Sequence, residues 1–573
     1  WMSIILGVNA FHADSSACIV KNGKIIAAVE EERINRIKHW AGFPILSIKE
    51  CIKIAGISPN EISDVAVNTN PKSNLIPKLN FFLKNLIFGK KKFEIIKRYK
   101  NKFFLKNYLK LANIKNVKIH YINHHISHIS SAYHLSDFNE AVGLSIDGSG
   151  DFASLMVAEC VDNKIQIKKQ IYFPNSLGIF YEAMTQFLGF DSYGDEYKVM
   201  GLAPYGKPRF LEFILENILD INDNLFSINL SFFNHQKSSF EYKFDGKPKQ
   251  KTIYSEKIFK FFNNKKRNNL EFKKDFAASI QKAYEKTFSN IINFVKKLDI
   301  SKNIVFAGGC ALNSSANNIL INDKGFKKVF IPCSPGDGGG AIGAAVHVAS
   351  YYSKVSEANI SPYLGTHYDK DEIKKSLDKY NDKLDIKYIN DEKIFFDEVS
   401  TLLIEQKVLG WFQDRMEFGP RALGNRSILA DPRNKNMKDI INKKIKRRES
   451  FRPFAPSILS EMKNEWYSEN KFENIYMSSV ENIKLEKKNL VPAVTHVDNT
   501  GRVQSIKKSL NPRFYNLVKN FYEKTKVPIL LNTSFNENEP IIRTPDEAIS
   551  CLIRTDMDNL VIGNFIVKKK NDN

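Results

Sequence analysis

Five of the eleven histidines in this chain fall between residues 120 and 134, in the string IHYINHHISHISSAYH. His124 and His128 are four residues apart, so on a helix their imidazoles leave one face about one turn apart, the spacing of paired metal ligands. A third donor must come from elsewhere in the fold. Asp337, in CSPGDGGGAIGAAVHVAS, is the candidate because it stands where a glycine turn enters a helical pattern. Two neutral imidazoles and a carboxylate suit divalent iron or zinc with positions open to substrate oxygens, and spacing alone does not choose between them. His12 ends the first apolar strand beside Asp14, and histidine is the side chain best suited to take a hydroxyl proton near neutral pH, which makes it the candidate general base. His125 and His134 read as structural.

Anion chemistry concentrates in the C-terminal third, where eleven of the sixteen arginines lie between Arg415 and Arg554. Arginine binds phosphate and carboxylate bidentately, so this asymmetry predicts an anion site. Arg415, Arg421 and Arg426 lie in RMEFGPRALGNRS; Lys446, Arg448 and Arg452 lie in INKKIKRRESFRPF; Arg502 follows in TGRVQ. Asn532 and Ser534 end an apolar strand in PILLNTSF, where backbone N–H and hydroxyl donors can meet a phosphate. In the N-terminal part, NIVFAGGCALNSS reads as a strand, a Gly308-Gly309 turn open to close approach, and a helix beginning near Asn313, a plausible nucleotide contact.

The elements that must position these residues are legible in outline. SIILGVNAF, HADSS, ACIVKNG and KIIAAVEEER alternate as strand, turn and two more strands, and AVGLSIDG, SGDFA, SLMVAECVDN and KIQIKKQIYF repeat that layout. A duplicated βββ unit followed by helices is the plan of the actin and sugar-kinase superfamily, with a nucleotide between the lobes. Periodicity lapses from Val355 to Asp369, so a domain boundary is expected near residue 360, dividing 2–360 from 361–573. Residues 75–111 read as a solvated amphipathic helical pair, and 209–274 as an insertion rich in Asn, Lys and Phe with no readable chemistry.

At 573 residues and 43% apolar content the chain is an ordinary globular protein of two or more domains. Its apolar runs stop short of the ~18 residues a membrane span requires, and no signal peptide is expected ahead of the first strand. Six cysteines without a CxxC pair argue against a disulfide framework or zinc ribbon and predict a reducing cytoplasm. The net charge of +22 comes from dispersed lysines, which steer anions without specifying nucleic acid.

Taken in order, FHADSSA, EEERINRIKH, HHISHISSAY, DGSGD, GDEYKVMGLAPYGKP, GWFQDRMEFGPRALGNRSILADPR, ESFRPFAPSIL, HVDNTGRVQSI and VPILLNTSFNENEPI resemble the NodU/CmcH family of O-carbamoyltransferases, nearly from end to end. The resemblance implies an α/β chain: an actin-like (ASKHA) duplicated N-terminal domain similar to the tRNA threonylcarbamoyl transferase subunit, and a smaller YrdC-like α/β C-terminal domain. It further implies that the C-terminal domain converts carbamoyl phosphate and ATP to carbamoyl-adenylate. The N-terminal domain would then pass the carbamoyl group to a hydroxyl of a small-molecule natural product, leaving AMP. The metal falls on His124, His128 and Asp337, with Fe2+ expected ahead of Zn2+ or Mn2+, and Mg2+ accompanying ATP.

On the same grounds His12, Asp14, Lys38 and His39 are expected in transfer, and Asp147, Asp151, Lys198, Gly308, Gly309 and Asn313 around the adenylate. Arg415, Arg421, Arg426, Lys446, Arg448, Arg452, Arg502, Asn532 and Ser534 are expected on carbamoyl phosphate and ATP. A homodimer is expected from the family, with neither nucleic acid nor membrane as partner. Two rivals differ by product: a tRNA-modifying transferase would carbamoylate RNA, and a sugar kinase would release ADP.

Overall fold

A computed structural model describes residues 3–86, 105–236, 248, 251–262, 266–352, 355, 361–470 and 472–570. The chain forms two compact units, Trp1–Ile360 and Ser361–Asn573.

The first unit holds two five-stranded sheets of the same plan. One comprises β1 (Ile4–Asn9), β2 (Ser16–Lys21), β3 (Lys24–Glu30), β4 (Asp64–Val67) and β5 (Lys118–Tyr121), in the order β3-β2-β1-β4-β5. The other comprises β6 (Glu140–Gly150), β7 (Ala153–Val161), β8 (Lys164–Tyr172), β11 (Asn303–Ala307) and β12 (Lys328–Phe330); between them lies a small hairpin, β9 (Leu219–Asp220) and β10 (Ser227–Ile228). Its order, β8-β7-β6-β11-β12, matches the first sheet strand for strand. In each, three antiparallel strands are followed by two parallel ones reached through helical crossovers. The repeated βββ layout of the sequence is therefore a repeat of strand order. The central strands β1, β4 and β11 are buried on both faces, as their unbroken Ile, Val, Leu and Ala runs require.

Each sheet ends in a helix that returns to the middle of the unit. The helix His124–Tyr133 follows β5, and the helix Gly340–Ala349 follows β12. They pack closely enough that a Cβ on Gly343 would sit 1.8 Å from the carbonyl oxygen of Ser127. Asn123 caps the first of them, its side chain accepting from the Ile126 N–H at 3.2 Å.

The second unit is built on one mixed eight-stranded sheet. Its strands are β13 (Leu384–Tyr388), β14 (Leu409–Phe412), β15 (Arg426–Ala430), β16 (Ala455–Leu459), β19 (Gln504–Ile506), β20 (Ile529–Ser534), β21 (Asn559–Ile562) and β22 (Phe565–Lys569). They run in the order β13-β22-β21-β14-β15-β20-β16-β19, with a two-stranded ribbon of β17 (Val480–Asn482) and β18 (Thr500–Arg502) alongside.

Of the 75–111 segment, the helices Leu75–Leu86 and Leu105–Leu111 are present, and 87–104 lie outside the described residues. In the 209–274 segment the phenylalanines have a structural use. Phe210, Phe213, Phe232, Phe261, Phe262 and Phe272 stack edge-on or tilted with one another and on Phe187 and Phe276. Residues 237–247, 249–250 and 263–265 of that segment lie outside the described residues. All six cysteines are free and buried. Among the described residues no helix is long and apolar enough to cross a membrane.

Candidate active site

The paired histidines His124 and His128 meet two carboxylates. His124 Nε2 lies 2.8 Å from Asp147 Oδ2 and 3.1 Å from His128 Nε2, and His128 Nε2 lies 3.3 Å from the same Asp147 oxygen. Both imidazole nitrogens are also 3.5 Å from Asp337 Oδ1. That oxygen is buried with no hydrogen-bond partner, although a carboxylate oxygen out of water ordinarily has one. Four ligand atoms from His124, His128, Asp147 and Asp337 thus lie within 4.8 Å of one another. Two nitrogens and two oxygens converging on one point, one of them an orphaned acceptor, fit a divalent ion such as iron, zinc or manganese.

The electrostatics show the strain of packing these groups. Burial pushes the His128 imidazole down, but its contacts with the Asp147 and Asp337 carboxylates overcome it and raise its pKa to about 9. Burial also raises Asp147, and the hydrogen bonds from His124 and His128 hold its carboxyl well below the usual range. Asp147 Oδ1 is fixed by two backbone donors, Gly148 N–H at 2.8 Å and Gly309 N–H at 3.1 Å. Gly308 makes this approach possible: its φ is +95°, and a Cβ there would meet the Ile146 carbonyl oxygen at 2.2 Å.

His12 joins the cluster through Asp337. Its Nδ1 lies 3.2 Å from Asp337 Oδ2, while its Nε2 is buried without a partner. A carboxylate that orients one ring nitrogen leaves the other to exchange a proton with substrate. Asp14 does not hold His12. It pairs with His39 instead, Oδ1 to Nδ1 at 2.7 Å, and Glu32 accepts from the His39 backbone N–H at 2.8 Å. Burial lowers the His39 pKa, but Asp14 outweighs it and raises it to about 9. Lys38 lies close enough for its charge to act on both Glu32 and His39.

Three residues expected around the adenylate have other partners. The Asp151 carboxylate accepts from Thr69 Oγ1 at 2.8 Å, Asn70 N–H at 2.7 Å and His124 N–H at 2.9 Å. Asn313 caps the helix Ser314–Ile321 and exchanges amide hydrogen bonds with Gln281, both at 3.1 Å. Lys198 is paired with Asp195 at 3.1 Å. Two carboxylates escaped the sequence reading. Burial pushes Glu182 well above its ordinary range, and the charges of Glu196 and Asp147 add to that; Glu196 is also raised by burial and feels His39 and Asp14. Glu182 lies in none of the motif strings, and Glu196, within GDEYKVMGLAPYGKP, is distinguished there only by its neighbours in the fold.

In the second unit the arginines divide. Arg426 is fully buried, stacks 3.6 Å over Phe412 and donates to the carbonyls of Gln413, Asn425, Thr366 and Asp414. Its two terminal nitrogens make these four bonds, and its Nε is buried without a partner. Arg415 donates to Gly365 O at 3.2 Å and Leu364 O at 2.6 Å. Those two residues bind loop carbonyls on these faces. Lys446 ends a π-helical turn, Asn442–Lys446, and donates to Ser534 O, Ser534 Oγ, Asn536 O and Asn536 Oδ1 at 2.6, 3.2, 2.7 and 2.7 Å. Lys446 and Ser534 are brought together as expected, but with the ammonium anchoring the strand end. Asn532 is buried, donating to Ala422 O, Ser457 Oγ and Gln504 Oε1.

The remaining arginines form a different group. Arg502 is held well below the ordinary guanidinium range by burial and by the positive charges of Arg421, Arg448 and Arg452. Among the described residues neither Arg421 nor Arg502 pairs with a carboxylate; Arg452 reaches Glu449 at 3.4 Å, and Arg448 lies over Phe454 at 4.4 Å. The Arg421 loop is shaped by Glu417, whose Oε1 accepts from the N–H groups of Leu423, Asn425 and Arg426 at 2.6, 3.0 and 3.2 Å. Like charges gathered in a half-buried site are costly unless an anion joins them.

Comparison with known proteins agrees with a chain of two parts. Residues 4–346 match the family model described as carbamoyltransferase N-terminus, and residues 400–569 the one described as carbamoyltransferase C-terminus. An uncharacterized protein of Synechocystis sp. is 37% identical over 99% of this chain and 97% of its own. The nodulation protein NolNO of Sinorhizobium fredii is 34% identical over 98% of this chain and 80% of its own. The 3'-hydroxymethylcephem-O-carbamoyltransferase of Amycolatopsis lactamdurans is 32% identical over 46% of this chain and 48% of its own. With both family models matched in order along one chain, the protein belongs to the carbamoyltransferase family and is an enzyme of that class.

Proposed function

We propose that the protein is an ATP-dependent O-carbamoyltransferase with divided labour. The unit Ser361–Asn573, YrdC-like in this reading, makes carbamoyl-adenylate; the unit Trp1–Ile360, actin-like in its duplicated sheets, transfers the carbamoyl group to a hydroxylated small molecule. The observation that carries the first half is the gathering of Arg421, Arg448, Arg452 and Arg502, with Arg502 depressed by burial and by the charges of the other three. Carbamoyl phosphate and ATP together bring many negative charges, and preorganised guanidinium groups can hold them close enough to react. Water releases phosphate from carbamoyl phosphate, the resulting carbamate oxygen attacks the α-phosphorus, and pyrophosphate leaves.

In the transfer step the acceptor oxygen attacks the carbamoyl carbon, its proton passes to His12 Nε2, and AMP departs. Asp337 Oδ2 orients His12 through Nδ1 at 3.2 Å. His124, His128, Asp147 and Asp337 would hold a divalent metal, Fe2+ by preference, which when bound supplies charge neutralisation at adenylate phosphate oxygens. His39, held by Asp14, presents its other ring nitrogen beside the Gly194 turn, where it can meet phosphate or acceptor.

The test is product analysis. Protein given ATP and carbamoyl phosphate should release pyrophosphate and phosphate, and AMP once a hydroxylated acceptor is added. Release of ADP instead would place the chain among kinases, and carbamoylation of tRNA in place of small molecules would replace the acceptor class.

A further inference from the structure

The geometry points to Asp151 as the positioning residue of the metal centre, fastening the helix that carries two ligands to the strand that carries a third. This rests on the metal site proposed above and adds a residue that touches no metal. Asp147 lies on β6, and Asp151 follows that strand directly, in the turn to β7. One carboxylate oxygen of Asp151 accepts both the Asn70 N–H at 2.7 Å and the His124 N–H at 2.9 Å. The other accepts Thr69 Oγ1 at 2.8 Å, and the Asp151 carbonyl accepts Asn74 Nδ2 at 2.9 Å. Three segments distant in sequence, the end of β4, the β6 turn and the N-terminus of the histidine helix, therefore meet on one side chain.

His124 is the first residue of its helix, so its N–H is one of those that no helical carbonyl can satisfy. A carboxylate at that position satisfies the group and complements the positive end of the helix dipole. It also sets the distance between helix and strand. A Cβ on Gly150 would lie 1.9 Å from the His124 ring, so the turn is pressed flat against the imidazole that must reach Asp147 at 2.8 Å. The turn is bent to permit this, with φ of +48° at Asp151 and +73° at Phe152, values that L residues seldom adopt. Phe152 is clamped between Phe81 and Phe173, with ring centroids 5.5 and 5.6 Å away.

The test uses the full chain stripped with a chelator, Co2+ as the probe, and Asp151→Ala and Asp151→Asn variants. Asp151→Ala should bind Co2+ at least ~10-fold more weakly, the usual effect of removing a group that holds a ligand in place, and should alter the Co2+ absorption bands. AMP binding to the metal-free variant should be unchanged. Asp151→Asn should keep Co2+ affinity near the wild-type value, because its amide oxygen can accept both N–H groups while its NH2 donates to Thr69. Unchanged Co2+ affinity in Asp151→Ala, or loss of AMP binding with Co2+ binding intact, overturns the proposal; the second result would make Asp151 a nucleotide contact. Should Asp151→Ala fail to fold, Thr69→Val decides: its Co2+ affinity should fall and its His124 amide should exchange faster, and no change in either sinks the idea. If the wild type itself takes up no Co2+, the metal site is what fails, and amide exchange at His124 in Asp151→Ala still tests the anchor.

Discussion

The chemistry of this chain depends on a few side chains whose neighbours decide their role. In the proposed metal site His124 and His128 would act as ligands together with Asp147 and Asp337, whose ligand atoms lie within 4.8 Å of theirs. Replacement of one imidazole leaves an incomplete set, so His124→Ala should lose most of its bound metal by elemental analysis, and full retention would refute the assignment. The His39–Asp14 pair makes a prediction about pH. The folded-state pKa of His39 is raised to about 9, above its ordinary value near 6.5, so the pair contributes full stability below 6.5 and loses it as pH rises through about 9. Thermal melts from pH 6 to 10 should show wild type losing more stability than Asp14→Asn across that window. Parallel curves would mean that the pair does not contribute in this way.

At the scale of elements, the active-site helix is held by close packing on one side and by a carboxylate on the other. Gly343 lets the helix Gly340–Ala349 press against Ser127, where a Cβ would lie 1.8 Å from a backbone oxygen that cannot move aside. Gly343→Ala must separate the helices, which should cost about 1–3 kcal/mol by denaturant unfolding and weaken metal binding through His128. An unchanged unfolding midpoint would show that the gap closes some other way. In the second unit the loop carrying Arg421 takes its shape from Glu417, and the end of β20 is gathered by Lys446. Arg415, Arg426 and Lys446 thus hold backbone carbonyls that shape these loops.

For the whole molecule, the division of labour proposed for the two units predicts separable defects. His12→Asn should still release pyrophosphate from ATP with carbamoyl phosphate yet fail to modify an acceptor. Arg502→Ala should show the reverse, losing pyrophosphate release by at least ~10-fold, since a charge-assisted contact contributes roughly 1.5–3 kcal/mol, while still transferring from supplied carbamoyl-adenylate. Loss of both activities in a folded His12→Asn protein would end the division of labour. What the sequence by itself determined was local: strand and helix periods, the i,i+4 histidine pair, the density of arginine past residue 415, and the long motif strings that mark the family. Those signals are set by backbone geometry and by contiguous residues, so they survive without the fold. Only the tertiary structure decided that Asp147, 23 residues beyond His124, joins the histidine pair, that Arg426 faces carbonyls while Arg421 and Arg502 lie together in the second unit, and that in the first unit Glu182 lies near Asp147 and Glu196 near His39. A carboxylate or guanidinium has the same sequence signature whether it meets a backbone group or a ligand, and the difference arises when distant strands and helices bring its partners within hydrogen-bond reach.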